Sequence, residues 1–337
     1  MTLATGPAAR ATPHAPGQPL LAGTRGSPLA LIQTRDFLDR ARRAAAMLPR
    51  PPHGDPPAFD ELVIRTTGDA TQAAGTRLAD IGGKGLFAKE IHEALADRRI
   101  DFAVHSLNDL ESELPPGIVL GCTLPREDPR DALILGPLCD AIDPADPYAC
   151  LPASAVIGTA SVRRQAQLLQ ARPDLTTATL RGNVQTRLEK VASGVCAASL
   201  LAYAGLRRLG LADRADVVLN PEAMVPAVCQ GIVGVTVRAA DTDLRELLAA
   251  IEDNHARIAA TAERALLAAL DGSCRTPIGG YARMLPNGEL HLTGLVARPD
   301  GSFVLRRHLH GPAADAARIG VELGASLRTD SPRDIFA

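Results

Sequence analysis

The chain reads as a mixed fold, α/β through its first two stretches and α+β at its C-terminal end. Three observations predict this. An opening apolar segment runs into Gly23-Thr24-Arg25-Gly26-Ser27-Pro28 and then a long helical pattern, a strand–turn–helix unit. Two similar units recur in tandem in the middle of the chain, over 155–169 and 176–191. From Asn254 onward the pattern changes to one long Ala/Leu helix, two alternating strands and a closing helix. Strands alternating with helices favour a mainly parallel sheet, whereas strands segregated from helices favour α+β packing.

Each element has a local reason. Ser27 suits an N-cap and Pro28 the first helical position, so a helix is predicted from Pro28 toward Met47. The Pro-rich patch Pro49 to Pro57 is a loop, and Glu61 to Thr66 reads as a strand. Gly68 to Gly85 is long, rich in Gly, Ala and Thr, and weakly periodic, which marks a lid. Leu86, Phe87, Ile91, Ala94 and Leu95 then share one helix face, and Phe102 to His105 is a short buried strand. In the middle units, Ala155 to Ile157 and Thr176 to Leu180 read as strands. The turns Gly158-Thr159-Ala160-Ser161 and Arg181-Gly182-Asn183 lead from them into helices. The helix from Asn254 to Leu270 is expected to stop at Asp271-Gly272, with Gly272 taking the left-handed position. Glu289 to Ala297 and Phe303 to His310 flank the turn Pro299-Asp300-Gly301, and Ala313 to Leu327 is the final helix.

Composition narrows the function. A chain of 337 residues, 46% of them hydrophobic, can build two or three domains. Its net charge of −2 with no long basic run argues against a nucleic-acid partner. No apolar run approaches the ~20 residues of a membrane helix. Met1 to Pro19 lacks an apolar signal core and reads as a disordered extension. The six cysteines are irregularly spaced with no CxxC, so free thiols in a reducing, cytoplasmic setting are expected.

The candidate chemistry sits at turns. Helix starts leave unpaired backbone N–H groups that attract anions, and here Arg163, Arg164, Arg181 and Arg187 lie beside two such starts. Four guanidinium forks so placed suggest a ligand with several carboxylates or phosphates; each alone would equally suit a solvated helix surface. Val104-His105-Ser106-Leu107-Asn108-Asp109 puts a carboxylate just past a buried strand, where α/β folds bind ligands. Gly82-Gly83-Lys84-Gly85 lacks the spacing and the following Ser/Thr of a nucleotide phosphate loop. Cys274 sits beside Arg275, which favours a thiolate, but also after a helix C-terminus, which opposes it; its reactivity stays open on these grounds.

Taken together, ten segments resemble, in order, those of the porphobilinogen deaminase (hydroxymethylbilane synthase) family. They are Thr24 to Ala30, Gly82 to Phe87, Val104 to Asp109, Arg126 to Asp131, Gly158 to Gln165, Leu180 to Val184, Ala204 to Gly210, Pro226 to Gly234, Thr261 to Arg264 and the Cys274 loop. The match runs from Leu21 to the C-terminus. The resemblance implies three domains, two like the lobes of type II periplasmic binding proteins and a small α+β domain. Domain 1 would span 19–123 with 231–249 and carry the lid 68–85; domain 2 would span 126–226 and domain 3 254–337, after an extension over 1–18. It implies a monomeric cytoplasmic transferase of tetrapyrrole and heme biosynthesis. Four porphobilinogens would be joined into hydroxymethylbilane, with loss of ammonia, on a dipyrromethane cofactor bound covalently through Cys274.

By the same resemblance, Asp109 is the catalytic carboxylate, stabilising the cationic azafulvene and managing pyrrole and leaving-group protons. Arg25, Ser27, Lys84, Thr159, Ser161, Arg163, Arg164, Arg181, Arg187 and Arg208 bind substrate or cofactor carboxylates, and no metal is required. Two positions depart from the family pattern: Asn108 stands where a Lys usually precedes the catalytic Asp, and Asp80 aligns with a lid Lys. Two other readings compete. A non-catalytic, two-lobed anion-binding protein predicts a secretion signal and no special cysteine; an activity-impaired relative is suggested by Asn108.

Overall fold

The structure is a computed structural model, and it describes residues 18–47, 57–69, 87–143, 145–272 and 276–336. The chain divides into two compact units. Described residues of the first fall within 18–69, 87–125 and 233–257; those of the second fall within 126–232 and 258–336.

The first unit is built on a five-stranded sheet. Its strands are β1 (Leu20–Thr24), β2 (Phe59–Val63), β3 (Phe102–Ser106), β4 (Ile118–Thr123) and a late strand, β10 (Val233–Arg238). The order is β2-β1-β3-β10-β4, with β1 parallel to both β2 and β3 and β10 antiparallel to its two neighbours. Helix α1 (Pro28–Met47) covers one face: Phe37, Leu38, Ala41 and Ala45 are buried against Leu20, Ala22 and Phe102. Phe37 meets Phe102 edge-on with centroids 5.3 Å apart. Ser27 Oγ accepts the Ala30 N–H at 3.3 Å, the cap that starts α1 at Pro28. On the other face, α2 (Lys89–Ala96) buries Ile91, Ala94 and Leu95 with Ile100 and Ala103. Helix α6 (Thr242–Ala249) adds Leu244, Leu247 and Leu248 to the α1 side.

The second unit contains two sheets. The first has β5 (Asp131–Leu135), β6 (Val156–Gly158), β7 (Thr176–Ala178), β8 (Ala198–Ala202) and β9 (Val217–Val218), in the order β7-β6-β8-β5-β9. Its pairing pattern repeats that of the first unit: three parallel strands, then an antiparallel fourth strand that is not in chain sequence with them. Helices α3 (Val162–Ala171), α4 (Val184–Ala192) and α5 (Tyr203–Arg208) pack on it. The other sheet is the antiparallel meander β11 (Ile278–Met284), β12 (Glu289–Ala297) and β13 (Val304–Pro312), packed with α7 (Asn254–Ala269) and α8 (Ala316–Asp330). Leu266 of α7 and Leu323 and Leu327 of α8 meet over Gly294 of β12. The chain thus combines two α/β sheets with a small sheet-and-helix domain, the fold class expected.

Several boundaries differ from the expected ones. The strand expected over Glu61 to Thr66 lies two to three residues earlier, because Leu20 to Thr24 pairs with Phe59 to Val63 in register. Helix α2 begins at Lys89, with Phe87 and Ala88 in the preceding turn. The stop of α7 uses a different residue for its left-handed position: Asp271 has φ 50° and Gly272 does not. The Gly272 N–H bonds back to Leu267 O at 3.0 Å and the Asp271 N–H to Ala268 O at 3.0 Å, which closes the helix end with Asp271 at the turn. Gly272 is needed for space instead: a Cβ there would lie 2.4 Å from Ile278 Cδ1 and 2.7 Å from Leu267 Cδ1. Residues 70–85 of the expected lid, Asp80 and Lys84 among them, and Cys274 lie outside the described residues. The five described cysteines carry free thiols, and burial pushes the thiols of Cys122 and Cys229 up.

Candidate active site

In the first unit, β1 and β3 are parallel neighbours, so their C-terminal ends lie side by side. Arg25 leaves the end of β1, and a short 3-10 turn, Leu107–Asp109, leaves the end of β3. This brings Arg25 Nη1 to 3.6 Å from Asp109 Oδ2. Asn108 Nδ2 donates to the other carboxylate oxygen, Oδ1, at 3.2 Å. The two groups line a cavity with Ser27, Gln33, Phe87 and Ser106. The start of α1 opens there, and Ser27, while capping the helix, keeps a hydroxyl proton to donate. Behind the cavity, Ser106 Oγ donates to Gln33 Oε1 at 2.9 Å, and His105 Nε2 lies 3.1 Å from Thr236 Oγ1. His92 packs beside His105 with ring centroids 5.3 Å apart, and burial pushes the His92 imidazole down to about 4.

Arg25 is held on one edge and one face. Its Nη2 donates to Asp69 Oδ1 at 2.6 Å and its Nε to the same oxygen at 3.2 Å. The guanidinium carbon lies 4.0 Å from the centre of the Phe87 ring. Thr66 Oγ1 donates to Asp69 Oδ2 at 2.8 Å. Burial alone would raise the Asp69 carboxyl, but the bonds and charge of Arg25, with Thr66, outweigh it and hold it below the usual carboxylate range. Asp69 and Phe87 were not among the expected site residues. The signal was Asp69 itself, an acid at the very start of a segment read only as a lid.

In the second unit, Thr159 and Ser161 follow the end of β6, Arg181 follows the end of the neighbouring parallel strand β7, and Arg208 ends α5. Ser161 caps α3 by accepting the Arg164 N–H, and the Ser161 N–H donates to Thr159 Oγ1 at 3.1 Å. Asn183 caps α4 by accepting the Thr186 N–H at 2.9 Å, after Gly182 turns the chain at φ 119°. Arg187 Nε donates to Gly182 O at 2.9 Å, and Arg208 Nη2 to Gly231 O at 2.8 Å. Arg181 has a solvent-shielded Nε with no hydrogen-bond partner among the described residues.

Arg163 and Arg164 do not present open forks. Both are buried, 4% and 8% exposed, and both grip the fully buried carboxylate of Asp131. Arg163 Nη2 lies 2.8 Å from Asp131 Oδ2, and Arg164 Nη2 lies 2.8 Å from Oδ1. Arg163 also donates to Val225 O at 2.5 Å, Arg164 Nη1 to Leu200 O at 3.0 Å, and Gln230 to Asp131 Oδ1 at 2.9 Å. Both guanidiniums are thus engaged by buried partners within this unit. A second buried carboxylate, Glu263 of α7, binds Arg126 Nη1 at 2.6 Å and the Ala282 N–H at 2.7 Å, which ties β11 to the Arg126 segment. Among the described residues, no group of three or more His, Cys, Asp or Glu side chains could hold a metal ion. No helix among them is long and apolar enough to cross a membrane.

Comparison with known proteins gives consistent matches along the chain. Residues 20–246 match the family model described as porphobilinogen deaminase, dipyromethane cofactor binding domain, and residues 257–329 match the porphobilinogen deaminase C-terminal domain. The porphobilinogen deaminase of Paracoccus denitrificans is 46% identical over 321 residues, covering 95% of this chain and 97% of that protein. That of Sorangium cellulosum is 47% identical over 92% of this chain and 98% of its own length. The chloroplastic porphobilinogen deaminase of Oryza sativa is 46% identical over 86% of this chain and 77% of its own. The chain therefore belongs to the porphobilinogen deaminase family.

Proposed function

We propose that this chain is a hydroxymethylbilane synthase, joining four porphobilinogens head to tail with release of ammonia. The observation that carries the reading is the Arg25–Asp109 pair, 3.6 Å apart, at the ends of two parallel strands. A cation for a carboxylate and an anion for a developing pyrrole cation stand there side by side. Each substrate bears acetate and propionate groups, so both charges have a task.

The residues present suit a dipyrromethane, which carries the same acidic side chains. The unpartnered Nε of Arg181 at a helix-leading turn is a donor awaiting an acceptor. Thr159 and Ser161, at the start of α3, offer hydroxyls beside unpaired helix N–H groups. When bound, the cofactor supplies the pyrrole carbon to which the first substrate is joined, and Cys274 is assigned as its thioether anchor. Lys84, Arg187 and Arg208 complete the proposed set of carboxylate partners. Arg163 and Arg164 we assign to holding the turn beneath that set, since Asp131 already occupies them.

Asp109 is placed to balance positive charge as ammonia leaves and to take up the proton released when the new bond restores the aromatic pyrrole. Arg25 holds a substrate carboxylate so that the reacting carbon lies near Asp109, and Ser27 and the start of α1 add donors. The reading includes a monomer in the cytoplasm acting on a small molecule, with no nucleic-acid partner; sedimentation of the purified protein checks the first of these. The main test is intact mass spectrometry with a porphobilinogen assay. The holoprotein should exceed its sequence mass by one dipyrromethane and turn over porphobilinogen, and Cys274→Ser should lose both. An unmodified mass in active enzyme, or an adduct on another cysteine, would overturn the assignment.

A further inference from the structure

A guanidinium has two edges that can each bind a carboxylate in two-pronged fashion: the side edge, Nε with Nη2, and the end edge, Nη1 with Nη2. Asp69 takes the side edge of Arg25, with Oδ1 at 3.2 Å from Nε and 2.6 Å from Nη2. Of the end edge, Nη1 lies 3.6 Å from Asp109 Oδ2, and Arg25 and Asp109 both line the cavity. Asp69 is itself held, since Thr66 Oγ1 donates to its Oδ2 and Thr66 is buried. The face of the guanidinium is covered by Phe87 at 4.0 Å. With one edge and one face fixed, the plane and direction of the end edge are fixed too.

We infer that Asp69 is a positioning residue for catalysis: it orients Arg25 so that the end edge of the guanidinium receives a substrate carboxylate next to Asp109. The inference rests on the proposed role of Arg25 as a substrate-binding residue. Arg25 without Asp69 would keep its charge but regain rotamer freedom, and a long side chain that must be ordered on each binding event binds less well. Asp69 bonds Nε and Nη2 and leaves Nη1, the atom near Asp109, to the substrate. Its contribution to folding is small, because the pair is partly exposed, at 19% and 30% for the two side chains.

The test is a double-mutant cycle on holoenzyme with Asp69→Asn, Arg25→Leu and the double variant. Three readouts apply: KM and kcat for porphobilinogen, melting temperature, and the 15N–1H signal of the Arg25 Nε group. Asp69→Asn should raise KM about tenfold, with a smaller loss in kcat. It should move the melting temperature by no more than about 2 °C. It should also broaden or abolish the Arg25 Nε–H signal that the intact pair protects. In the Arg25→Leu background, Asp69→Asn should add nothing further, because its effect passes through Arg25. An unchanged or lowered KM in Asp69→Asn, while Arg25→Leu raises it, overturns the positioning role alone. An unchanged KM in Arg25→Leu overturns the reading of Arg25 and with it this inference. A loss of thermal stability with normal KM reduces Asp69 to a structural residue and also refutes it.

Discussion

Replacing Asp131 by Asn probes the most heavily loaded buried group in the second unit. The carboxylate is fully buried and is the shared counter-ion of two guanidiniums that are themselves nearly buried, with contacts of 2.8 Å to each. Asparagine keeps the shape and can accept one bond, but it leaves two cations with only carbonyl partners at Val225 and Leu200. Removing one partner of a buried ion pair costs ~3–5 kcal/mol, because the remaining charge is left desolvated. In a unit of this size that corresponds to a fall in melting temperature of about 6–20 °C. Equilibrium urea unfolding of wild type and Asp131→Asn, followed by circular dichroism, measures it. Acid should act the same way on the wild type. Burial would raise the Asp131 carboxyl, but Arg163 and Arg164 outweigh it and the net shift is downward. The stabilisation is therefore present above the unfolded Asp value, about 3.9, and is lost as pH falls through the lower folded value. A loss below about 1 kcal/mol in Asp131→Asn would refute the reasoning, since surface pairs alone cost so little.

Asp109→Asn should cut kcat at least about a hundredfold while leaving the thermal melt unchanged, and near-normal kcat would remove Asp109 from catalysis. Asn108→Lys adds a charge beside a site built for carboxylates and should tighten substrate or cofactor binding by about 1.5–3 kcal/mol. Unchanged KM and unchanged cofactor retention would mean that another group already supplies that charge. His92, 5% exposed, has its folded value lowered by burial from the ordinary 6.5 to about 4. The unfolded chain therefore binds the extra proton between those values. Stability on the order of 3 kcal/mol is present above pH ~6.5 and lost on acidification toward pH ~4. His92→Gln should flatten that part of the stability–pH curve, and an unaltered curve would place the acid sensitivity elsewhere.

What was legible in the sequence was local. Ser27, Ser161 and Asn183 cap their helices through bonds to a residue three positions on, so three or four residues of sequence contain the whole interaction. The strand Glu289–Ala297 is as expected because period-two alternation and the Asn287-Gly288 turn set its start. The placing of Asp109 just past a buried strand was readable for the same reason, and the catalytic role proposed for it came through resemblance to a family. Tertiary structure decided what each guanidinium faces. Arg164 meets Asp131 across 33 residues, and no helical period reports a partner at that separation. The left-handed position at the end of α7 falls on Asp271, while Gly272 is the residue whose missing side chain leaves room for Ile278 of the next strand. His105 meets Thr236 across 131 residues because β10 returns to the first sheet after the chain has built the second. Local periodicity carries the energetics of one turn or one strand; pairings at such separations depend on which surfaces are left to bury once the elements exist. The partner of Arg25 is the plainest case. Asp69 begins a stretch whose composition signals only a loop, and it becomes a counter-ion only when β1 and the segment after β2 are brought together by their parallel pairing.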